Sequence, residues 1–493
     1  MNPSPFGIVG SGSMAAGVAQ LMAEAGYEVA LHPADEATLG LLRRALHRKA
    51  EKGQLGADAA ARALRRVVPA ASLDALAHCS VVVETQLRDR EATQATLAAL
   101  EAVLSPATLI ALNTSAQTVS VLASRAAHPG RIAGLHFFEP APVMRVVEVI
   151  AGLRTDQTVM PRLISFVETL GHAAVRVEDA PGFVVNRVGR ALLTEGARIV
   201  AEKIATPQAV DRIARDTLGL RMGPFELLDL IGLDISLPVM DQLYDAYRQE
   251  PRLRPAPFLR LREAAGLHGR RAGGGFYAEP EKIGDAPALA GTAARPAIWI
   301  DPADADLHAS VRKHLLRSSA RLDLAEAPGA DSLCLVMPLG ADATETALRR
   351  GLDPRRTVAV DAVSGISARC ALMAPPGLLP AYRAAALSAF GEAGAAEWIG
   401  DSKGFVAQRL LAAIVNLACE VAEQGVARPA DIDHLVRLAL GYPKGPLAWG
   451  DEFGPARILS VLQALHDDGD PRDRVCAWLR RRAHLGLSLT TPA

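Results

Sequence analysis

At 493 residues the chain is too long for one ordinary core, and it predicts two to four domains of roughly 100 to 200 residues each. Its 53 basic and 54 acidic residues leave a net charge of -1, which gives no basic field for nucleic acid or an anionic membrane surface. No apolar run approaches the roughly 20 residues that span a bilayer, and Cys79, Cys334, Cys370, Cys419 and Cys476 lack metal-ligand spacing, so a cytoplasmic protein with free thiols and no metal is expected.

The opening stretch, FGIVGSGSMAAGVAQLMAEAGYEVALHP, has an apolar run, a glycine-rich turn, a helix of good formers stopped at Gly26, and a second apolar run from Tyr27 to Leu31. That order predicts a βαβ unit. Its turn, Gly10-Ser11-Gly12-Ser13-Met14-Ala15, fits G-x-G-x-x-[GA], in which the first glycine permits the tight turn and the second lets backbone approach a pyrophosphate at a helix N-terminus. The strand-turn-helix context favours a dinucleotide over a bland turn. An acid ending the second strand would complete the pattern by accepting from the adenosine ribose, but Leu31-His32-Pro33 stands there, with Asp35 two residues further on. No arginine follows immediately to hold a 2'-phosphate, so NADP is not thereby favoured.

CSVVVET, ATLIALNTS, RIAGLHFFEP and VMRVVEVIAG predict further strands. From Pro181 to about Tyr247 the pattern is helical, punctuated by Gly219, Gly223-Pro224 and Gly232. A dinucleotide-binding α/β domain over 1–178 therefore precedes a helical domain over 179–290. The segment beginning DAPGFVVNR then aligns without gaps to the one beginning DSKGFVAQR: Asp179 pairs with Asp401 (401 − 179 = 222), and Gly182 with Gly404, Arg187 with Arg409, Asp211 with Asp433 and Gly232 with Gly454 keep the same offset. Residues 401–493 are thus a second copy of the helical domain. Between the copies, DSLCLVMPLG and RTVAVDAVSG read as short buried strands without a phosphate-binding turn, so 291–400 is either a shrunken α/β domain or a linker. The second copy has Gln408 in place of Asn186 and no His-Glu block before it, so a structural role is predicted for it, as half of an intrachain pseudo-dimer; a homodimer remains open.

The segment HFFEPAPVMRVVEVI sets a histidine, His136, and two carboxylates around a Pro-Ala-Pro turn. Taken alone, a histidine near an apolar strand is more often structural, and Glu148 would be a solvated strand-end carboxylate. The blocks GSGSMAAGVA, VVVE, LNTSA, GLHFFEPAPVMRVVEVI, DAPGFVVNR and GPFELLDLIGLD occur, however, in the order found in the 3-hydroxyacyl-CoA dehydrogenases. The chain resembles the long bacterial form of that family, similar to its 3-hydroxyadipyl-CoA and 3-hydroxybutyryl-CoA enzymes. That resemblance implies a Rossmann-type α/β domain followed by duplicated helical domains like those of 6-phosphogluconate dehydrogenase. It implies hydride transfer between NAD and C3 of a 3-hydroxyacyl-CoA, in fatty-acid or aromatic-acid catabolism such as that of phenylacetate, with an acyl-CoA as partner. By its match to the motif His136 would be the base, with Glu148 orienting its ring across a strand, a turn and a second strand. Ser115 would contact the substrate hydroxyl and Asn186 would hold the reacting group. Gly10, Gly12, Ser13, Met14, Asn113, Glu139 and Arg271 would surround the cofactor.

The chain also departs from the family. Glu139 replaces an asparagine in the catalytic block, and a carboxylate cannot donate the amide's hydrogen bonds. Pro33 stands for the ribose acid, Arg88 for a glutamate, Thr93 for a lysine and Arg271 for a lysine. Two outcomes follow: an enzyme with altered cofactor affinity, or a divergent paralogue that binds acyl-CoA or a nucleotide without turnover.

Overall fold

A computed structural model describes residues 5–86, 89–277, 296–366 and 369–492; Arg88 and the boundary at 290 lie outside the described residues. The first sheet has eight strands, β1 Phe6–Val9, β2 Val29–His32, β3 Val67–Pro69, β4 Val81–Glu84, β5 Leu109–Leu112, β6 Ile132–Phe137, β7 Val146–Ala151 and β8 Ala173–Glu178. Their order is β3-β2-β1-β4-β5-β6-β7-β8, parallel throughout except where β6 meets β7. Every residue of β1, β4, β5 and β6 is buried, the burial of a sheet covered on both faces, which is why these strands read as continuous apolar runs. Helix α1, Gly12–Glu24, follows β1, and α2, Glu36–Glu51, follows β2. The N-terminal part is thus a Rossmann-type sheet. Its outermost strand, β3, has three residues and ends in Pro69, a residue that only an edge tolerates.

The helices Val185–Ala201, Pro207–Asp216, Pro224–Ile231, Leu233–Ala246 and Pro257–Ala264 recur as Val406–Glu423, Pro429–Leu440, Pro446–Phe453, Pro455–His466 and Ala477–Leu485. The punctuation recurs as well: Gly232 turns at φ 100° and Gly454 at φ 103°, a region open to glycine at little cost.

The stretch between the copies is a packed sheet with its own core, not an extended linker. Strands β9 Ile298–Ile300, β10 Leu322–Asp323, β11 Leu333–Val336, β12 Thr357–Val360, β13 Arg369–Met373 and β14 Ala395–Trp398 run in the order β10-β9-β11-β12-β13-β14, with only β12 and β13 antiparallel. The path β9-β11-β12-β13-β14 repeats β4-β5-β6-β7-β8, down to the antiparallel step. Asp179 takes the N–H groups of Val119 and Ser120, and Asp401 those of Ala343 and Thr344. At its edge the second sheet has its own parallel strand-helix-strand, β9, the helix Ala305–Leu315 and β10, but Asp301-Pro302-Ala303-Asp304 joins strand to helix where the first sheet has its glycine-rich turn. At the place of Glu148, 222 residues on, stands Cys370, a thiol that burial pushes up to about 12.

The chain forms two compact units, Met1–Arg187 with Gln424–Leu440, and Val188–Glu423 with Gly441–Ala493. In the first, the Glu178 N–H donates to the Val426 carbonyl (2.8 Å), Arg187 donates to Gln424 Oε1 (2.7 Å), and helix Pro429–Leu440 packs on β7. In the second, the Gly400 N–H donates to the Ile204 carbonyl (2.7 Å), Arg409 donates to Glu202 Oε2 (2.9 Å), and helix Pro207–Asp216 packs on β13. Counterparts in the two sets are again 222 residues apart, so one set of contacts is built twice. The second unit also buries ion pairs, Arg198 with Asp473 (2.8 Å) and Arg252 with Glu420 (2.5 Å).

Candidate active site

The antiparallel register of β6 and β7 sets His136 directly opposite Glu148. Their side chains meet, His136 Nδ1 lying 2.6 Å from Glu148 Oε2. Both are buried, His136 to 5% and Glu148 to 0% exposure, where an unpartnered carboxylate would cost several kcal/mol. Glu148 escapes that cost because its other oxygen accepts the N–H groups of Val184 (2.9 Å) and Val185 (3.1 Å). These donors open the helix Val185–Ala201, whose N-terminus carries a partial positive charge. They are aimed by a left-handed turn, Gly182 at φ 70° and Phe183 at φ 47°. For phenylalanine that backbone costs about 1–2 kcal/mol, a strain of the kind that collects at functional sites. The rings of Phe138 and Phe183 lie 4.4 and 5.9 Å from the imidazole. His136 Nε2 has no hydrogen-bond partner among the described residues.

Asn186 lies one residue beyond Val185, and its Nδ2 donates to the Ser115 carbonyl (2.7 Å). The pair expected to meet substrate is thus brought together, but through the main chain of Ser115; its hydroxyl has no hydrogen-bond partner among the described residues. Asn113 Oδ1 accepts the Phe137 N–H (2.9 Å), tying the end of β5 to the strand that carries His136.

The glycine-rich turn fits a dinucleotide. A Cβ on Gly10, at φ 150°, would stand 2.1 Å from Thr85 Oγ1, so only glycine closes this turn. Gly12, at φ 84°, faces open space. Ser11 caps α1 without a side-chain bond and Ser13 is exposed, which keeps the helix N-terminus open to a pyrophosphate. At the ribose end Asp35 is engaged within its own helix start. Its carboxylate caps α2, taking the N–H groups of Ala37 and Thr38 and the Thr38 hydroxyl, and that hydroxyl in turn accepts the Gly12 N–H (2.8 Å). The Thr38 hydroxyl and the Ala37 N–H hold Asp35 below the usual carboxylate range. His32 is engaged with the Ala70 carbonyl (3.1 Å), and Pro33 offers no acceptor. Glu139 is exposed just beyond β6, and Thr93 is buried in the helix Arg90–Val103. Arg271 belongs to the second unit, where it donates to the Ile231 carbonyl (3.0 Å) and pairs with Asp234 (3.2 Å).

Sequence reasoning missed two features. One is the pair of N–H groups on Glu148, which depends on a left-handed phenylalanine that no pattern announces. The other is a cleft of about 690 Å³ between α1, α2 and the Pro140–Pro142 turn, lined in part by Arg48, Lys49, Lys52 and Arg145. Lys49 is paired with Glu24 (2.6 Å), while Arg48, Lys52 and Arg145 form no ion pair among the described residues. The signal was present: Arg48, in the last turn of α2, and Lys52, the residue that caps its C-terminus, are four apart in sequence.

The family model described as "3-hydroxyacyl-CoA dehydrogenase, NAD binding domain" matches residues 6–180, and "3-hydroxyacyl-CoA dehydrogenase, C-terminal domain" matches 182–279 and again 404–490. A 3-hydroxyadipyl-CoA dehydrogenase of Escherichia coli (strain K12) is 33% identical over 98% of both chains. A probable 3-hydroxybutyryl-CoA dehydrogenase of Bacillus subtilis (strain 168) is 35% identical, spanning 97% of its own length but 56% of this chain. The crystal structure of a 3-hydroxybutyryl-CoA dehydrogenase from Escherichia coli K12 superposes with a TM-score of 0.85 at 31% identity, covering 98% of this chain and 99% of that one.

Proposed function

The chain belongs to the 3-hydroxyacyl-CoA dehydrogenase family, and on that premise we propose that it interconverts a 3-hydroxyacyl-CoA and its 3-ketoacyl-CoA with NAD as cofactor. A bound nicotinamide supplies the acceptor for the hydride leaving C3. In this reading His136 handles the proton. Glu148 accepts from Nδ1–H and so fixes the neutral ring in the tautomer whose Nε2 is a free base. As Nε2 takes the hydroxyl proton, the imidazolium forms against a carboxylate that two backbone N–H groups already hold in place. In ketone reduction the same Nε2–H returns the proton. The Ser115 hydroxyl and Asn186 orient the substrate oxygen, and the Phe138 and Phe183 rings keep water from the imidazole.

The single observation that carries this reading is the 2.6 Å His136–Glu148 contact with both Glu148 oxygens occupied. The open N-terminus of α1 suits a pyrophosphate, and the cleft bearing Arg48, Lys52 and Arg145 suits the phosphates of CoA. Glu139 and the missing ribose acid weaken the nucleotide end and favour a second reading, a binding module without turnover. The contact set built twice supports an intrachain pseudo-dimer as the folding unit. Purified protein should change nicotinamide absorbance with 3-hydroxyacyl-CoA or acetoacetyl-CoA. No change with either nicotinamide cofactor across several acyl lengths refutes the enzyme reading; calorimetric binding of NADH and acetoacetyl-CoA without turnover would leave the module standing.

A further inference from the structure

The two N–H groups that hold Glu148, and Asn186 itself, sit at the start of one helix, so whatever fixes that start helps to fix the reacting pair. Val184 and Val185 present their N–H groups to Glu148, Asn186 reaches Ser115, and Arg187 follows in the same turn. Arg187 is 1% exposed, and its guanidinium donates to Gln424 Oε1. Gln424 belongs to the second helical copy, as do Val426, which takes the Glu178 N–H, and the helix Pro429–Leu440, which covers the strand carrying Glu148. The first compact unit therefore contains a segment, Gln424–Leu440, from the half of the chain that carries no His-Glu block.

We propose that Gln424 is a positioning residue for the His136–Glu148 pair, anchoring Arg187 and with it the helix start on which Glu148 and Asn186 depend. The proposal rests on the reading of that pair as the reacting one. It also sharpens the structural role of the second copy, which in this reading contributes structure behind the strand that carries Glu148.

The chain contains its own control. Arg409 donates to Glu202 through the counterpart of the Arg187–Gln424 contact, and both acceptors are exposed residues just past the end of a long helix. Beside Arg409, however, stands Gln408 rather than Asn186, and Cys370 occupies the place of Glu148. Loss of either acceptor frees an arginine at the same place in its helix, and Glu202 also pairs with Arg198 (2.7 Å), so its loss is the harsher one for packing; but only Gln424 lies next to the proposed chemistry.

The test compares Gln424→Ala, Gln424→Glu and Glu202→Ala in the full chain by steady-state kinetics and thermal unfolding. Gln424→Ala should lower kcat about tenfold, the order expected when a reacting group shifts by a fraction of an ångström, with KM for both substrates within about twofold. Gln424→Glu, which writes the Glu202 solution into the first unit, should restore kcat. Glu202→Ala should leave kcat unchanged even if its melting temperature falls. Gln424→Met serves in place of alanine if that variant misfolds. An unchanged kcat in Gln424→Ala, no rescue by glutamate, or an equal loss in Glu202→Ala overturns the proposal. A wild-type chain without turnover would overturn the functional reading instead.

Discussion

Exchanging Glu148 for glutamine tests the proposed proton path most directly. The amide oxygen can still accept from Val184 and Val185, so the buried site keeps its two backbone bonds and the fold should survive. The amide NH2 then faces His136 Nδ1 at the position of Oε2. A donor there requires Nδ1 to be the acceptor, which moves the ring proton to Nε2 and removes the lone pair that would take the substrate proton. The corresponding exchange in a serine-protease triad costs about ten-thousand-fold. With no nucleophile to activate, a loss of roughly 1,000- to 10,000-fold is expected, or about 4–5.5 kcal/mol of transition-state stabilisation. Because the overall equilibrium constant does not change, kcat/KM should fall by the same factor in alcohol oxidation and ketone reduction. The assay is nicotinamide absorbance in both directions, with thermal unfolding as the control for fold. A folded Glu148→Gln protein within tenfold of wild type would refute the tautomer argument, and with it the role given to His136.

Gly12→Ala should leave the fold almost intact, since its Cβ meets nothing within 4 Å and the strain at φ 84° is about 1–2 kcal/mol. NADH should nevertheless bind about tenfold more weakly as the methyl enters the turn, and an unchanged Kd by fluorescence titration would place the dinucleotide elsewhere. Asp211 is raised to about 7, by burial above all, against the opposing hydrogen bonds from Tyr277 and the Phe225 N–H. A carboxyl that holds its proton more tightly when folded stabilises most while protonated, so its contribution should decline as pH rises from about 4 to about 7. The difference in melting temperature between wild type and Asp211→Asn should shrink across that window; a constant difference would show that Asp211 does not titrate there. Arg198→Met strips the Asp473 carboxylate of its partner, and urea unfolding should show a loss of about 3–5 kcal/mol, whereas less than about 1 kcal/mol would mean that the cluster is solvated.

What was legible in the sequence was what local pattern dictates. The Gly10–Gly12 turn follows from φ values that favour glycine, and β4 to β7 from runs too apolar to lie anywhere but inside. The spacing of His136 and Glu148 suggested two facing strands, and the pair is directly opposed in register. The strands β3, β9, β10, β13 and β14 were not read from the sequence: segments so short do not separate strand from helix by period, and β4 and β5, equally short, were legible only as apolar runs bounded by turn residues. Asp35 illustrates a different limit. What its carboxylate bonds depends on Thr38, a residue with no weight in the sequence pattern. The placement of Gln424–Leu440 in the first unit depends wholly on tertiary contacts and leaves no mark in composition.

The ion pairs of the second unit reveal something that joining two copies in one polypeptide permits. Across the axis of a symmetric dimer each position faces the same chemistry twice, so no residue can be cationic on one side and anionic on the other. Here Arg198 faces Asp473 while its counterpart Glu420 faces Arg252. The two halves have become complementary rather than identical. Pairing two first halves would set Arg198 against Arg252, and pairing two second halves would set Glu420 against Asp473, so like charges discourage exchange between chains. The surface where the two copies meet in this chain thus suits its opposite better than itself.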